Sequence, residues 1–305
     1  MQAVAVQTRN LTKYYKKFCA LDQVSIQVGR GEIFGLVGDN GAGKTTLLKA
    51  LAGQIFLSEG ELALFGEGEN LNSMRKRMGV LIEEPGFYPQ LSVEKNLEYY
   101  RIQRGVPGKG ETEEILEIIG LQDARKKKAA ALSLGMKQRL GLGIALMGTP
   151  ELLVLDEPIN GLDPSGIVEM RKLLERLNRE KKITILVSSH ILSELEQIAT
   201  VYGFLKKGKL LEQISAGELE QKCADYVEIR VSDSERYTVL LEQKLGHRAY
   251  QVMPDGRIYV KTPGLETEAY SHLASQGGLE VRALTRYHQS LEEYYLNLKK
   301  GGGQE

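Results

Sequence analysis

The chain has 305 residues, with 40 Lys and Arg against 40 Asp and Glu, and two cysteines. That balance argues against the broad basic surface that nucleic acids need, and Cys19 and Cys223, widely separated and outside any C-x-x-C pair, suggest neither a disulfide framework nor a zinc site. Apolar runs such as Gly143 to Gly148 are far short of the roughly 20 residues that span a bilayer, and Met1 to Arg9 has no secretory pattern, so a cytoplasmic chain is expected.

Glu32 to Val37 is short, apolar and partly β-branched, the pattern of a buried strand. It runs into Gly38-Asp39-Asn40-Gly41-Ala42-Gly43-Lys44-Thr45, which fits G-x-x-x-x-G-K-[ST], and then into Thr45 to Ala52, apolar at helical spacing. Glycines let successive N–H groups curl inward at phosphate oxygens, and the following helix aims its positive end at the same place. The segment Gly38, Asn40, Gly41, Ala42, Gly43 and Thr46 is therefore assigned to a nucleoside triphosphate. Lys44 is assigned to the β- and γ-phosphates and Thr45 to Mg²⁺. A glycine-rich turn with a surface lysine is the competing reading, and the flanking strand and helix weigh against it.

Glu151 to Asp156 is apolar without alternation, as in a parallel strand covered on both faces. It ends in Asp156 and Glu157, and ligands of open α/β sheets bind beyond the carboxyl ends of strands. Asp156 is expected in the Mg²⁺ shell, and Glu157 as the general base that polarises the attacking water. Asp163-Pro164 reads as a helix start, an N-cap with proline in the first position. The strand pattern Ile183 to Ser188 is followed by His190.

Near residue 215 the pattern changes, which sets expected domains of 1–216 and 217–305. Tyr226 to Val231 alternates like a half-buried strand, Ser234 to Leu245 is helical, and Ala249 to Met253 turns through Pro254-Asp255-Gly256-Arg257 into Ile258 to Lys261. Leu265 to Gln276 is helical, Leu279 to Leu284 a strand and Ser290 to Leu298 a last helix, with a disordered tail after Lys300. The order β-α-β-β-α-β predicts a small ferredoxin-like α+β module. Residues 217–305 carry eleven basic and fourteen acidic side chains, a net charge of −3, and His247, His272 and His288 are scattered. No chemistry is evident there. Leu291, Tyr294, Tyr295 and Leu298 form an apolar helical stripe, so protein contact is the expected work, by docking on the module's own sheet or on a neighbouring subunit.

From about residue 5 to 215 five motifs fall in an order that resembles the ATP-binding subunits of ABC transporters. Besides the two phosphate motifs these are Leu132-Ser133-Leu134-Gly135-Met136, similar to the family signature LSGGQ; Asn160-Gly161-Leu162-Asp163, similar to the loop that crosses the dimer interface; and His190. The resemblance implies a P-loop NTPase fold of the ABC type that hydrolyses ATP. It implies that Ser133 and the Gly135 N–H touch the γ-phosphate held by a second copy in a head-to-tail dimer, that His190 is the switch histidine, and that Tyr15 stacks on adenine, with neighbouring Tyr14 as the alternative. Asp163 has either the cap role or the interface role. Two departures are visible. Glu83 stands where the family has a glutamine near the metal, placing a carboxylate beside Mg²⁺, and Leu134 and Met136 replace Gly and Gln of the signature. Together, Ile82 to Pro89 and Ser133 to Gly141 resemble exporter ATPases of the bacitracin-resistance and lantibiotic-immunity type. Such subunits imply separate transmembrane permease partners, a position on the inner face of the cell membrane, export of a peptide antibiotic or other drug, and no nucleic-acid partner. A soluble ABC ATPase serving an assembly such as iron–sulfur cluster construction is the alternative.

Overall fold

The computed structural model describes residues 3–83, 85–108, 110–223, 226–261, 263–287 and 291–301. His288, among the scattered histidines, and the tail beyond Gly301 lie outside them. The chain divides into two compact units, one running to Ala216 and taking in Lys299, the other spanning Gly217–Leu298.

The first unit opens with β1 (Val4–Tyr15), β2 (Phe18–Val24) and β3 (Gln27–Gly29), antiparallel neighbours whose Val6, Leu11, Leu21, Val24 and Val28 are buried. Next come β4 (Ile33–Val37), the glycine loop and α1 (Lys44–Ala52), followed by β5 (Glu59–Leu64), which returns to pair with β1. The short α2 (Leu71–Arg75) leads to β6 (Met78–Leu81), and then to α3 (Val93–Gln103), α4 (Gly110–Ile118) and α5 (Leu134–Leu146). The last stretch is β7 (Leu152–Asp156), α6 (Pro164–Lys181), β8 (Thr184–Ser189), α7 (Leu192–Leu195), β9 (Val201–Lys206) and β10 (Lys209–Ser215).

Six of these strands form one sheet in the order β10-β9-β4-β8-β7-β6, parallel from β9 to β6 with β10 antiparallel at the edge. Every residue of β4 and β8 is buried, as are Leu152 to Leu155 of β7. That is why these segments read as unbroken apolar runs: both faces are covered, so neither parity of side chain meets water. Helix α1 contributes Leu47, Leu48 and Leu51, all fully buried, each worth about 1.5–3 kcal/mol of apolar transfer. With its faces closed, the sheet leaves its polar backbone ends as the place for a ligand. The loop after β4, Asp156 of β7 and the end of β8 all lie at carboxyl ends of adjacent parallel strands.

Beyond β10, α8 (Ala216–Lys222) leads into β11 (Tyr226–Val231), α9 (Ser234–Leu245), β12 (Tyr250–Val252), β13 (Ile258–Lys261), α10 (Thr267–Gln276), β14 (Val281–Tyr287) and α11 (Leu291–Gly301), all in the second unit save Ala216 and the residues from Lys299 on. The sheet order is β12-β13-β11-β14, antiparallel throughout, the split arrangement that the β-α-β-β-α-β order predicts. Val227, Ile229 and Val231 point into a core with Tyr237, Leu241, Tyr270 and Leu273. Tyr237 donates to the Tyr270 carbonyl at 2.8 Å, and burial pushes its hydroxyl well above the ordinary tyrosine range. On the opposite parity Tyr226 stacks on Tyr287 at 4.9 Å and meets Tyr259 at 5.2 Å between ring centres.

Candidate nucleotide site

Two glycines fix the shape of the loop after β4. A Cβ on Gly38 would lie 2.7 Å from the Leu205 carbonyl oxygen, and one on Gly43, whose φ is +107°, would lie 2.7 Å from that of Ala20. No other residue fits either position without moving the backbone. Strand β9 and the β1–β2 hairpin thus clamp the loop from two sides. Lys44 is 5% exposed; its Nζ donates to the carbonyl oxygens of Gly38 at 2.7 Å and Asp39 at 3.3 Å, and pairs with Glu157 Oε1 at 3.2 Å. A buried ammonium needs such partners, since desolvating an unpaired charge is prohibitive.

The register of β7 and β8 sets Asp156 beside Ser188. Ser188 Oγ donates to Asp156 Oδ1 at 2.6 Å and accepts the Glu157 N–H at 3.0 Å, so one hydroxyl orients both acids. Thr45 Oγ1 donates to Asp156 Oδ2 at 2.7 Å. Glu157 has φ +46°, and its Oε2 lies 3.0 Å from His190 Nδ1 and accepts from Asn160 Nδ2 at 3.2 Å. Lys44, Thr45, Asp156, Glu157 and His190, far apart in sequence, therefore form one connected group. The Thr45 hydroxyl and Asp156 carboxylate are hard oxygen donors suited to Mg²⁺, which takes few protein ligands and completes its shell with phosphate and water. Among the described residues no cluster of three or more His, Cys, Asp or Glu could hold a metal ion.

A family model described as ABC transporter matches residues 21–160. The bacitracin transport ATP-binding protein BcrA of Bacillus licheniformis is 42% identical over 308 residues, covering 97% of this chain and 98% of BcrA. The chain belongs to the ABC transporter ATP-binding family. The lantibiotic transport ATP-binding protein SrtF of Streptococcus pyogenes is 40% identical over 206 residues, covering 68% of this ABC ATPase and 89% of SrtF. A solved ATP-binding subunit of an ABC transporter superposes with a TM-score of 0.63 at 28% identity, over 72% of this chain and 92% of that one. The protein is an ATP-hydrolysing subunit of an ABC transporter.

The remaining predicted residues of the ABC ATPase are placed as follows. Asn40 and Gly41 are exposed at the loop tip, Ala42 is buried, and Thr46 is half-buried on α1. The Ser133 hydroxyl caps α5, accepting the Met136 N–H at 3.3 Å, and Gly135 lies in the first turn, where N–H groups lack helical acceptors. Asp163 caps α6, accepting from Gly166 N–H at 3.2 Å with Pro164 behind it; the Ser165 hydroxyl at 2.7 Å leads the bonds that hold its carboxyl below the ordinary range. Tyr14 and Tyr15 are both half-exposed at the end of β1, and the Lys13 ammonium sits 5.0 Å from the Tyr15 ring centre. Glu83, at φ +62°, is paired with Lys49 Nζ at 2.5 Å.

Sequence reasoning passed over Ser188 and Lys49, and placed Asn160 in the interface loop without its bond to Glu157. A signal existed for the first, since Ser188-Ser189 breaks an otherwise apolar strand at its carboxyl end. Ser189 also matters to the histidine loop: its hydroxyl accepts the Ile191 N–H at 2.9 Å and donates to Glu194 Oε2 at 3.1 Å, bracketing His190. Burial pushes the Glu194 carboxyl upward against that bond.

Proposed function

We propose that this ABC ATPase, as a head-to-tail dimer on the inner face of the cell membrane, drives export of a peptide antibiotic or related drug through separate permease subunits. The observation that carries the ATP chemistry is the connected group of Lys44, Thr45, Asp156, Glu157 and His190. Lys44 supplies the fixed positive charge for the β- and γ-phosphates, and Thr45 and Asp156 hold Mg²⁺. An ion held there would supply positive charge against the charge developing on the phosphates. Glu157 takes a proton from the attacking water while His190, 3.0 Å away, fixes the carboxylate's orientation. Gly38 to Gly43 position the phosphates, so catalysis is placement plus charge stabilisation. Ser133 and Gly135 complete the site of the second copy, and Tyr15 or Tyr14 holds the adenine.

Support for transport comes from relatives named for bacitracin and lantibiotic transport. No described helix is long and apolar enough to cross a membrane, and separate permease subunits are the translocation path of this reading. The relatives named for transport do not favour the soluble-assembly reading. Co-expression with a multi-span permease in bacitracin-sensitive cells tests the proposal. Resistance should rise with the wild-type pair and not with Lys44→Ala, and the permease should co-purify. Unaltered sensitivity to bacitracin and lantibiotics would overturn the cargo class, and full turnover by Ser133→Arg would overturn the head-to-tail dimer.

A further inference from the structure

Asp39 is the only acidic side chain in Gly38 to Thr45, a segment built to receive a triphosphate. A carboxylate there works against the loop, because like charges repel at such separations unless an opposite charge intervenes. The opposite charge comes from far along the chain. Lys299 Nζ lies 2.6 Å from Asp39 Oδ2 and 2.7 Å from Oδ1, engaging both oxygens, and its side chain is only 20% exposed. Its main chain is held as well, the Lys206 ammonium donating to the Lys299 carbonyl oxygen. Lys206 follows Leu205, whose own carbonyl lies against Gly38, and the Asp39 carbonyl accepts from Lys44. Lys299 is thus tied to the start of the phosphate loop through its side chain and, through its backbone, to the end of the strand beside that loop.

We infer that Lys299 is a positioning residue of the nucleotide site: it neutralises Asp39 and holds the first turn of the loop in the shape that Lys44 requires. The inference deepens the reading of Gly38 to Thr45 as the ATP site and rests on it. It gives the end of α11 a part in nucleotide affinity that no motif beyond residue 217 announces.

The test measures ATP affinity by calorimetry on the full chain, with Mg²⁺, at low and high salt. Lys299→Ala is expected to raise the Kd about three- to tenfold at low salt, with kcat at saturating ATP and the melting temperature little changed. Lys299→Arg keeps the charge and should stay near wild type. The loss should shrink in high salt, and in an Asp39→Asn background Lys299→Ala should add nothing, because the charge to be neutralised is gone. An unchanged Kd for Lys299→Ala overturns the inference. So does an equal loss with and without Asp39→Asn, which would mean that Lys299 meets the nucleotide itself. Lys44→Ala serves as the control in the same assay: if it too bound like wild type, the ATP site itself would be misplaced, a failure distinct from that of Lys299.

Discussion

Strands β7 and β11 both sit inside their sheets, with partners on either edge, yet they are buried in different patterns. Four successive residues of β7, Leu152 to Leu155, are buried, whereas β11 buries Val227, Ile229 and Val231 and turns Tyr226, Glu228 and Arg230 the other way. Covering both faces of a parallel sheet leaves no polar position along the strand, so polarity gathers at its end, in Asp156 and Glu157. Covering one face of an antiparallel sheet spreads polar and aromatic groups over the open side. The first geometry concentrates charges into a point where a phosphate can be handled. The second offers a surface, on which Tyr226, Tyr259 and Tyr287 lie ring to ring.

Four substitutions would break or sharpen this contrast. Glu157→Gln keeps shape and loses basicity at the strand end, so turnover should fall about 10²–10⁴-fold with ATP still bound. Single-turnover kinetics checks it, and a wild-type rate would pass the base role to another group. In the second unit Ile229→Ala should cost about 2–5 kcal/mol of stability there by leaving a cavity. Denaturation followed at the tyrosines should show that loss, while the ATP Kd stays put; a lost Kd would mean that the two sheets do not divide the labour as described. Ser188→Ala removes the hydroxyl shared by Asp156 and the Glu157 N–H, an effect of about 1–3 kcal/mol, so turnover should drop roughly tenfold with smaller change in binding. Equal turnover would show that the acids orient themselves.

Glu194→Gln should have the smallest effect, at most about 1 kcal/mol. Because burial raises the Glu194 carboxyl in the folded chain, its favourable contribution is present below the ordinary carboxylate value and is lost as pH rises through the raised one. The amide has no charge to bury. Melting curves should therefore shift in favour of the variant on going from pH 4 to pH 7, and a difference that stayed flat with pH would remove burial as the cause.

What the sequence revealed follows the same division. Strands β4, β7 and β8 were legible because closure of both faces writes an unbroken apolar run, and α9 because Asp233 accepts the Arg236 N–H and Gly246 turns left-handed to end it. In β14 the reading stopped at Leu284, but the strand continues to Tyr287, since pairing of Tyr226 with Tyr287 outweighs the exposed polar residues between. His247, read as chemically idle, lies 3.2 and 3.0 Å from the Ala249 and Lys261 carbonyls and so ties the hairpin. The assignment of Glu83 drew on a family position, and spacing alone could not supply its ion pair with Lys49. Nor could any local pattern join Lys299 to Asp39 across 260 positions. Pairings of that kind exist only after the chain has folded.

The ion pair between Lys44 and Glu157 has a consequence for timing. A triphosphate and the Glu157 carboxylate are rival counter-ions for a single ammonium that is too buried to be shared with solvent. On the proposed roles of Lys44 and Glu157, arrival of the phosphates would weaken the hold on Glu157, so the base would gain its freedom from the same event that delivers its substrate. Because such coupling is reciprocal, whatever strengthens the Lys44–Glu157 pair lowers ATP affinity by the same factor, and a Glu157→Gln chain should hold ATP more tightly than the wild type. An enzyme working in this way would be kept from activating water before there is a phosphate to spend it on.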